Sequence, residues 1–142
     1  MGGGGAIHYA FKYPELFSAL SAFSPGVMGV ESTKKVKSGE MFKKNFGSSE
    51  KYFEENDPSC LLKKNIDQIR GRMRIRILVA EDFTRSANRT FHALLNEMKV
   101  EHEYEEVDGV GHNATQIREK AGNRVWSFFL NAARNVENAG LL

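Results

Sequence analysis

Several features that would point to particular protein classes are scarce in this sequence. Cysteine occurs once, at Cys60, so the chain cannot build an internal disulfide framework. Cys60 follows Asp57-Pro58 within a helical pattern, and we expect a buried, unreactive thiol there. No apolar run approaches about 18 residues, the length that a membrane span requires, so no span is predicted.

Excess charge of either sign is also small. The net charge is +2, and no stripe of basic residues alternates with aromatic ones, so nucleic acid is not an expected partner. No set of Cys, His and carboxylate residues has metal-ligand spacing. In a phosphate-binding loop the glycines follow a strand, whereas no strand precedes the glycines at 2–5 in this sequence. We therefore predict neither a metal nor a cofactor.

What the sequence does contain is a regular alternation of apolar patterns. The 142 residues are 41% hydrophobic, enough for a buried core, and we assign 1–142 to a single domain. Short runs at about 16–23, 73–80 and 101–107 predict three strands. Helical stripes precede, separate and follow them, at Ala6–Phe11, Leu61–Ile69, Ala87–Met98 and Val125–Ala133. This order predicts an α/β fold with a parallel sheet.

Two segments leave their roles open. Gly2–Gly5 begin the first helical pattern, which suits a helix whose backbone packs closely on another element or approaches a ligand. As a bare N-terminus, the same glycines would be a flexible tail. Residues 26–47 have weak periodicity and several lysines. They predict either part of a substrate pocket over the end of the sheet or a plain surface loop.

Polar residues follow the second and third predicted strands. Asp82 comes after one, and His112 lies on the glycine-containing loop after the other. In open α/β sheets, ligands bind outside the carboxyl ends of the strands. A carboxylate that accepts a hydrogen bond from one imidazole nitrogen fixes the tautomer and leaves the other nitrogen free to deprotonate a nucleophile. His112 alone would be an ordinary surface histidine, and Asp82 makes it a candidate proton carrier. His8, His92 and His102 are interpreted as structural or surface residues.

Several stretches, in this order, are typical of one enzyme family. They are MGGGGAIHYAFKYPELFSALSAFSP at 1–25, YFEENDP at 52–58, the strand end Ile75–Asp82, ANRTFHALLNEM at 87–98 and HEYEEVDGVGHN at 102–113. The chain closely resembles the Putative esterase family of α/β-hydrolases, which includes feruloyl and acetylxylan esterases, the esterase D type (S-formylglutathione hydrolase) and mycolyl-transferases. The resemblance covers most of the chain and implies a partial α/β-hydrolase fold.

The resemblance also implies roles for individual residues. His112 would be the general base and Asp82 its orienting acid. The stretch 1–6 resembles the downstream half of a nucleophile elbow, Gly-x-Ser-Met-Gly. The serine would then immediately precede Met1, and the backbone N–H of Met1 would be an oxyanion-hole donor. On this interpretation the chain is the C-terminal half of a longer protein.

Two positions depart from the family pattern. Ala80 replaces a strand-end glycine that is common in the family, which makes Glu81 the alternative acid if the register differs by one residue. Asp108 stands where the family often has proline, and it could compete with Asp82 for His112. A carboxylate at such a turn is more often solvated or a turn former.

The implied activity is hydrolysis of a carboxylic ester through an acyl-enzyme, with a small-molecule or carbohydrate-linked ester as substrate. The alternatives are a catalytically inactive remnant that acts as a binding or assembly module, and an acyltransferase of the same family. Lacking the serine, the chain by itself is expected to be inactive. Its first strand would also lack a neighbour, and we expect self-association through that exposed edge.

Overall fold

A computed structural model of the protein describes residues 2–27 and 40–138. Its centre is one parallel sheet in the order β1–β2–β3, made of β1 (Ala19–Phe23), β2 (Arg74–Ala80) and β3 (Glu103–Val107). Ala22 of β1 pairs with Ile77 of β2, which pairs in turn with Tyr104 of β3. The predicted α/β fold with three parallel strands is therefore confirmed.

Helices precede, connect and follow the strands. They are α1 (Gly2–Lys12), α2 (Glu40–Phe46), α3 (Glu50–Glu54), α4 (Pro58–Lys64), α5 (Ile66–Ile69), α6 (Arg85–Glu97), α7 (Ala114–Ala121) and α8 (Arg124–Asn138). Side-chain caps fix several of their starts. Asp57 accepts hydrogen bonds from the backbone of Ser59 and Cys60 at the start of α4, with Pro58 in the first helical position. Within 2–27 and 40–138, no helix is long and apolar enough to cross a membrane.

Alternate residues of β2 point into two separate cores because successive strand side chains face opposite sides of the sheet. Met73, Ile75, Ile77 and Val79, which alternate along the run at 73–80, share the first core with apolar residues of α1, α4 and α6. Leu78 and Ala80 share the second core with Val107, Val110, Ile117, Ala121 and Val125. Both faces of β2 are thus covered by helices.

The first strand is shorter and less buried than its sequence predicts. β1 begins at Ala19 rather than near residue 16, because Pro14–Leu16 form a turn of 3-10 helix. Leu16 is 71% exposed, so its apolar character reflects no core position. Only Leu20 and Ala22 of β1 are buried, whereas Ala19, Ser21 and Phe23 are half-buried. The continuous apolar run at 16–23 therefore overstates both the length and the burial of β1.

The segment after β1 is only partly described. Residues 28–39, and with them most of the excursion predicted over 26–47, lie outside the described residues. In α2, Phe42 packs against Phe53 of α3 with ring centroids 5.8 Å apart, and Phe46 packs against Phe53 at 5.0 Å. These contacts form an aromatic cluster between two short helices.

Cys60 lies on α4, half-buried and unpaired among the described residues. Burial, together with the nearby carboxylate of Asp57, raises the pKa of its thiol to about 11. The thiol is therefore protonated near neutral pH, although it is half-buried and not buried as the sequence analysis expects.

Candidate active site

The second and third strands bring Asp82 and His112 to the same end of the sheet. Ala80 pairs with Val107, so β2 and β3 finish at the same level. Glu81 continues the pairing for one more step, since its N–H donates to the carbonyl of Val110 at 2.8 Å. The loops that follow β2 and β3 therefore run beside each other. Asp82 lies on the first loop, two residues after Ala80, and His112 lies on the second, five residues after Val107.

The side chains of Asp82 and His112 meet directly. His112 Nδ1 lies 2.8 Å from Asp82 Oδ2. The Asp82 side chain is 4% exposed and that of His112 is 42% exposed. Because a carboxylate can only accept, Nδ1 carries the proton and the neutral imidazole leaves its Nε2 lone pair free. The described residues give Nε2 no hydrogen-bond partner, so it is available to a group that approaches from outside.

A second set of donors holds the carboxylate of Asp82. Its Oδ1 accepts from the backbone N–H of Thr84 at 2.7 Å and from the Thr84 hydroxyl at 2.5 Å. Burial raises the pKa of the Asp82 carboxyl, but hydrogen bonds from Thr84, His112 and Ser24 together outweigh it, and the net pKa is lowered. Asp82 is therefore ionised at neutral pH although its side chain is buried.

The two competing carboxylates are engaged elsewhere. Glu81 Oε2 accepts from the backbone N–H of Gly109 at 3.0 Å. Asp108 Oδ1 accepts from Arg85 Nη1 at 2.9 Å, and its carbonyl accepts from Lys120. Both side chains thus brace the loop that carries His112, and neither contacts the imidazole. Asp82 is the carboxylate that the structure brings to His112.

A cavity of about 390 Å³ lies beside His112. Its walls come from Gly2 and Gly3 of α1, from the end of β1 and from the start of α7. Residues 40–47 do not line this cavity. Met1, the predicted oxyanion-hole residue, lies outside the described residues.

An exposed aromatic side chain stands on the rim of the site. Phe83 follows Asp82 directly and is 84% exposed. Its ring centroid lies 5.1 Å from that of His112 at an angle of 37°. The ring covers part of the imidazole and gives the rim an apolar surface.

The other histidines make structural contacts, as the sequence predicts. His8 Nδ1 lies 2.8 Å from the carbonyl of Asn56. His92 Nδ1 lies 2.7 Å from His102 Nε2, and His102 Nδ1 in turn lies 2.7 Å from the carbonyl of Val100. Within the described residues, no three His, Cys, Asp or Glu side chains form a group that could hold a metal ion.

Sequence reasoning missed the two hydroxyls that hold Asp82. Thr84 sits two residues after Asp82, the spacing of an aspartate-initiated turn, so its role was accessible from the sequence. Ser24 lies 58 positions before Asp82 and joins it only through the pairing of β1 with β2. No local pattern identifies it.

Several solved structures have a fold similar to that of this chain. The S-formylglutathione hydrolase FrmB from Staphylococcus aureus is 22% identical with a TM-score of 0.62, and the match covers 82% of this chain and 46% of that one. The fluorophosphonate-binding serine hydrolase F of Staphylococcus aureus is 20% identical with a TM-score of 0.62, over 84% of this chain and 49% of that one. A ferulic acid esterase is 19% identical with a TM-score of 0.58, over 94% and 44%.

These likenesses establish the α/β-hydrolase fold, and the chain spans about half the length of each structure it matches. Among curated proteins, no sequence matches significantly. The family described as Putative esterase matches residues 1–133, nearly the whole chain. The chain therefore belongs to the Putative esterase family.

Proposed function

We propose that this chain supplies the acid and the base of a serine carboxylesterase, with His112 as general base and Asp82 as the acid that orients it. The observation that carries the proposal is the 2.8 Å contact between His112 Nδ1 and the buried carboxylate of Asp82, which leaves Nε2 free at the edge of a cavity. The cavity, of about 390 Å³, is within the size range of small-ligand sites.

In the proposed reaction, Nε2 of His112 takes the proton of a serine hydroxyl as its oxygen attacks the ester carbonyl. Asp82 stabilises the imidazolium that forms and keeps Nδ1 protonated. The imidazolium then donates its proton to the leaving alcohol, and the acyl group remains on the serine. Water, deprotonated by the same Nε2, hydrolyses the acyl-enzyme and restores the starting state.

The serine is proposed to come from a segment that precedes Met1. The two serines at the cavity do not suit the role. Ser24 is occupied by a hydrogen bond from the Ala80 backbone at 2.9 Å, and Ser21 lies within β1 rather than on a strand-to-helix turn. Helix α1 begins at the cavity wall, as the helix that follows a nucleophile elbow would.

The test uses the chain extended upstream by a segment that supplies a strand and Gly-x-Ser. We expect hydrolysis of p-nitrophenyl acetate and covalent labelling by a fluorophosphonate. His112→Ala should lose nearly all turnover, and Asp82→Asn should lose about 10⁴-fold because the imidazole adopts the wrong tautomer.

Two matched carboxylate variants serve as controls. Glu81→Gln and Asp108→Asn remove equal charge beside the site but act only on the loop, so their effects should be mild. Full turnover in His112→Ala would overturn the proposal. A crippling Glu81→Gln beside an active Asp82→Asn would reassign the acid. The chain of 142 residues without the added segment should neither turn over the ester nor take up the phosphonate.

A further inference from the structure

Ser24 has an unusual backbone and an unusual location for a serine. Its φ is +39°, a region that residues other than glycine rarely occupy. It is also buried, although it follows directly after the edge strand β1. Such strain persists only where the surroundings hold the residue in place, and it is often found at functional sites. The contacts of its side chain indicate what this conformation achieves.

The Ser24 hydroxyl is bound to the end of β2, close to Asp82. The N–H of Ala80 donates to Ser24 Oγ at 2.9 Å, and the N–H of Ser24 donates to the carbonyl of Leu78 at 2.7 Å. Since Oγ already accepts from Ala80, its own O–H is free to donate, and its influence lowers the pKa of the Asp82 carboxyl. The strained backbone thus turns the hydroxyl back over the end of β2.

Thr84 is fixed in the same way from the opposite side. Asn88 is fully buried, and its Nδ2 donates to Thr84 Oγ1 at 3.0 Å and to the Thr84 carbonyl at 3.0 Å. Thr84 Oγ1 therefore accepts from behind and points its own proton at Asp82 Oδ1, 2.5 Å away. Each of the two hydroxyl oxygens thus accepts a hydrogen bond from a fixed N–H group, so its own proton is available to the Asp82 carboxylate.

We propose that Ser24 and Thr84 are positioning residues that keep the Asp82 carboxylate directed at His112, so that removal of either hydroxyl loosens the Asp82–His112 contact. The proposal concerns geometry and charge at Asp82, and only its consequence for turnover rests on the proposed function. The other charged groups near this end of the sheet do not replace the two hydroxyls. Glu81 and Asp108 are bound to Gly109 and Arg85, respectively.

A purely structural role for the same hydroxyls makes a different prediction. If Ser24 only satisfied the N–H of Ala80, its removal would lower stability and leave Asp82 unchanged. The variants Ser24→Ala and Ser24→Gly separate these effects. Both remove the hydroxyl, but glycine adopts a φ of +39° without strain, so Ser24→Gly offsets part of the loss of stability.

The first measurement is made on this chain with ¹³C-labelled aspartate, by magic-angle-spinning NMR, which does not require a monomeric sample. Asp82 is assigned by loss of its signal in Asp82→Asn. We expect Ser24→Gly and Thr84→Val to raise the pKa of Asp82 relative to the unaltered chain. The downfield signal of the proton between His112 Nδ1 and Asp82 should weaken in both. Thr84→Ser keeps the hydroxyl and should keep both signatures.

The second measurement uses the chain extended upstream by Gly-x-Ser. Ser24→Gly and Thr84→Val should each lower kcat by roughly ten- to a hundredfold, the value of one hydrogen bond to a charged group, with KM little changed. Ser18→Ala is the matched control, since Ser18 is exposed at the opposite end of β1. It should alter neither the NMR signals nor kcat.

Different results would contradict the positioning role and the proposed function. An unchanged pKa of Asp82 and an unchanged downfield signal in both Ser24→Gly and Thr84→Val would overturn the positioning role, whatever the turnover. Altered signals in a protein that never hydrolyses an ester would keep the positioning role and contradict the proposed function instead. Equal effects of Thr84→Ser and Thr84→Val would also overturn the proposal, because a hydroxyl would then be irrelevant.

Discussion

The four glycines that begin α1 provide a sharp test of how closely this helix packs on the sheet. A Cβ added to Gly3 would lie 2.4 Å from the carbonyl oxygen of Phe23 and 3.1 Å from Cα of Pro25, both backbone atoms. A Cβ on Gly5 would have nothing within 4 Å. Alanine should therefore destabilise the fold at position 3 and not at position 5.

The magnitudes follow from two opposing effects. Alanine in a helix is favoured over glycine by about 1 kcal/mol. Overpacking against atoms that cannot move aside costs about 1–3 kcal/mol or more. Gly5→Ala should therefore raise the free energy of unfolding by about 0.5–1 kcal/mol, and Gly3→Ala should lower it by about 1–2 kcal/mol. Gly4, whose added Cβ would lie 2.9 Å from the carbonyl oxygen of Pro25, should fall between them.

Urea unfolding followed by far-UV circular dichroism measures the three variants against the unaltered chain, at several protein concentrations so that association does not enter the comparison. Gly2→Ala is the second control, since its Cβ would also meet nothing within 4 Å. Opposite shifts for Gly3→Ala and Gly5→Ala are expected. Equal shifts in the same direction would refute the close approach of α1 to the end of β1.

Three further predictions concern groups away from α1. Arg85 donates to the carbonyl of Ala80 at 3.1 Å and to Asp108, so Arg85→Met should cost about 1–2 kcal/mol in urea unfolding; no loss would contradict a role in joining the ends of β2 and β3. Burial, and then the neighbouring His102, lower the pKa of His92 below its ordinary 6.5, so the unfolded chain binds that proton more readily. The contribution of His92 to the free energy of unfolding should be fully present above about pH 6.5 and be lost as the pH falls towards the lower pKa of the folded state. His92→Gln should reduce the difference in the free energy of unfolding between pH 7.5 and pH 5.5. Cys60, with a pKa of about 11 against an ordinary 9.0, should react with iodoacetamide about 100-fold more slowly than an unperturbed thiol, and equal rates would show that it is not shielded.

The sequence predicts most of what depends on burial. Alternation in β2 identified Ile75, Ile77 and Val79 as one face of the first core, and they lie there. The same reasoning failed at Leu16 and Phe17, which are apolar but largely exposed, so β1 begins later than the apolar run suggests. Hydrophobicity reports a tendency to be buried, and the 3-10 turn that starts at a proline prevails over it locally.

Part of the candidate site could also be predicted from the sequence, and part could not. Asp82 and His112 were predictable because strand ends in a parallel sheet meet at one edge, and the structure brings them into contact. The left-handed backbone of Ser24 was not, because serine has no general preference for that region and its neighbours in sequence do not require it. Its conformation depends on Leu78 and Ala80, which are more than 50 positions away and reach it only through strand pairing.

The two outer edges of the sheet differ in charge, and the difference limits how copies of the chain could assemble through them. β1 carries no charged residue, whereas β3 includes Glu103, Glu105 and Glu106. These glutamates pair with Arg74, Arg124 and Arg89. Charged side chains along an edge strand hinder the addition of another strand, so β3 resists extension while β1 does not. Two β1 edges paired about a twofold axis would leave only the charged β3 edges outside. Assembly along this sheet would then stop at a closed pair instead of growing into a filament.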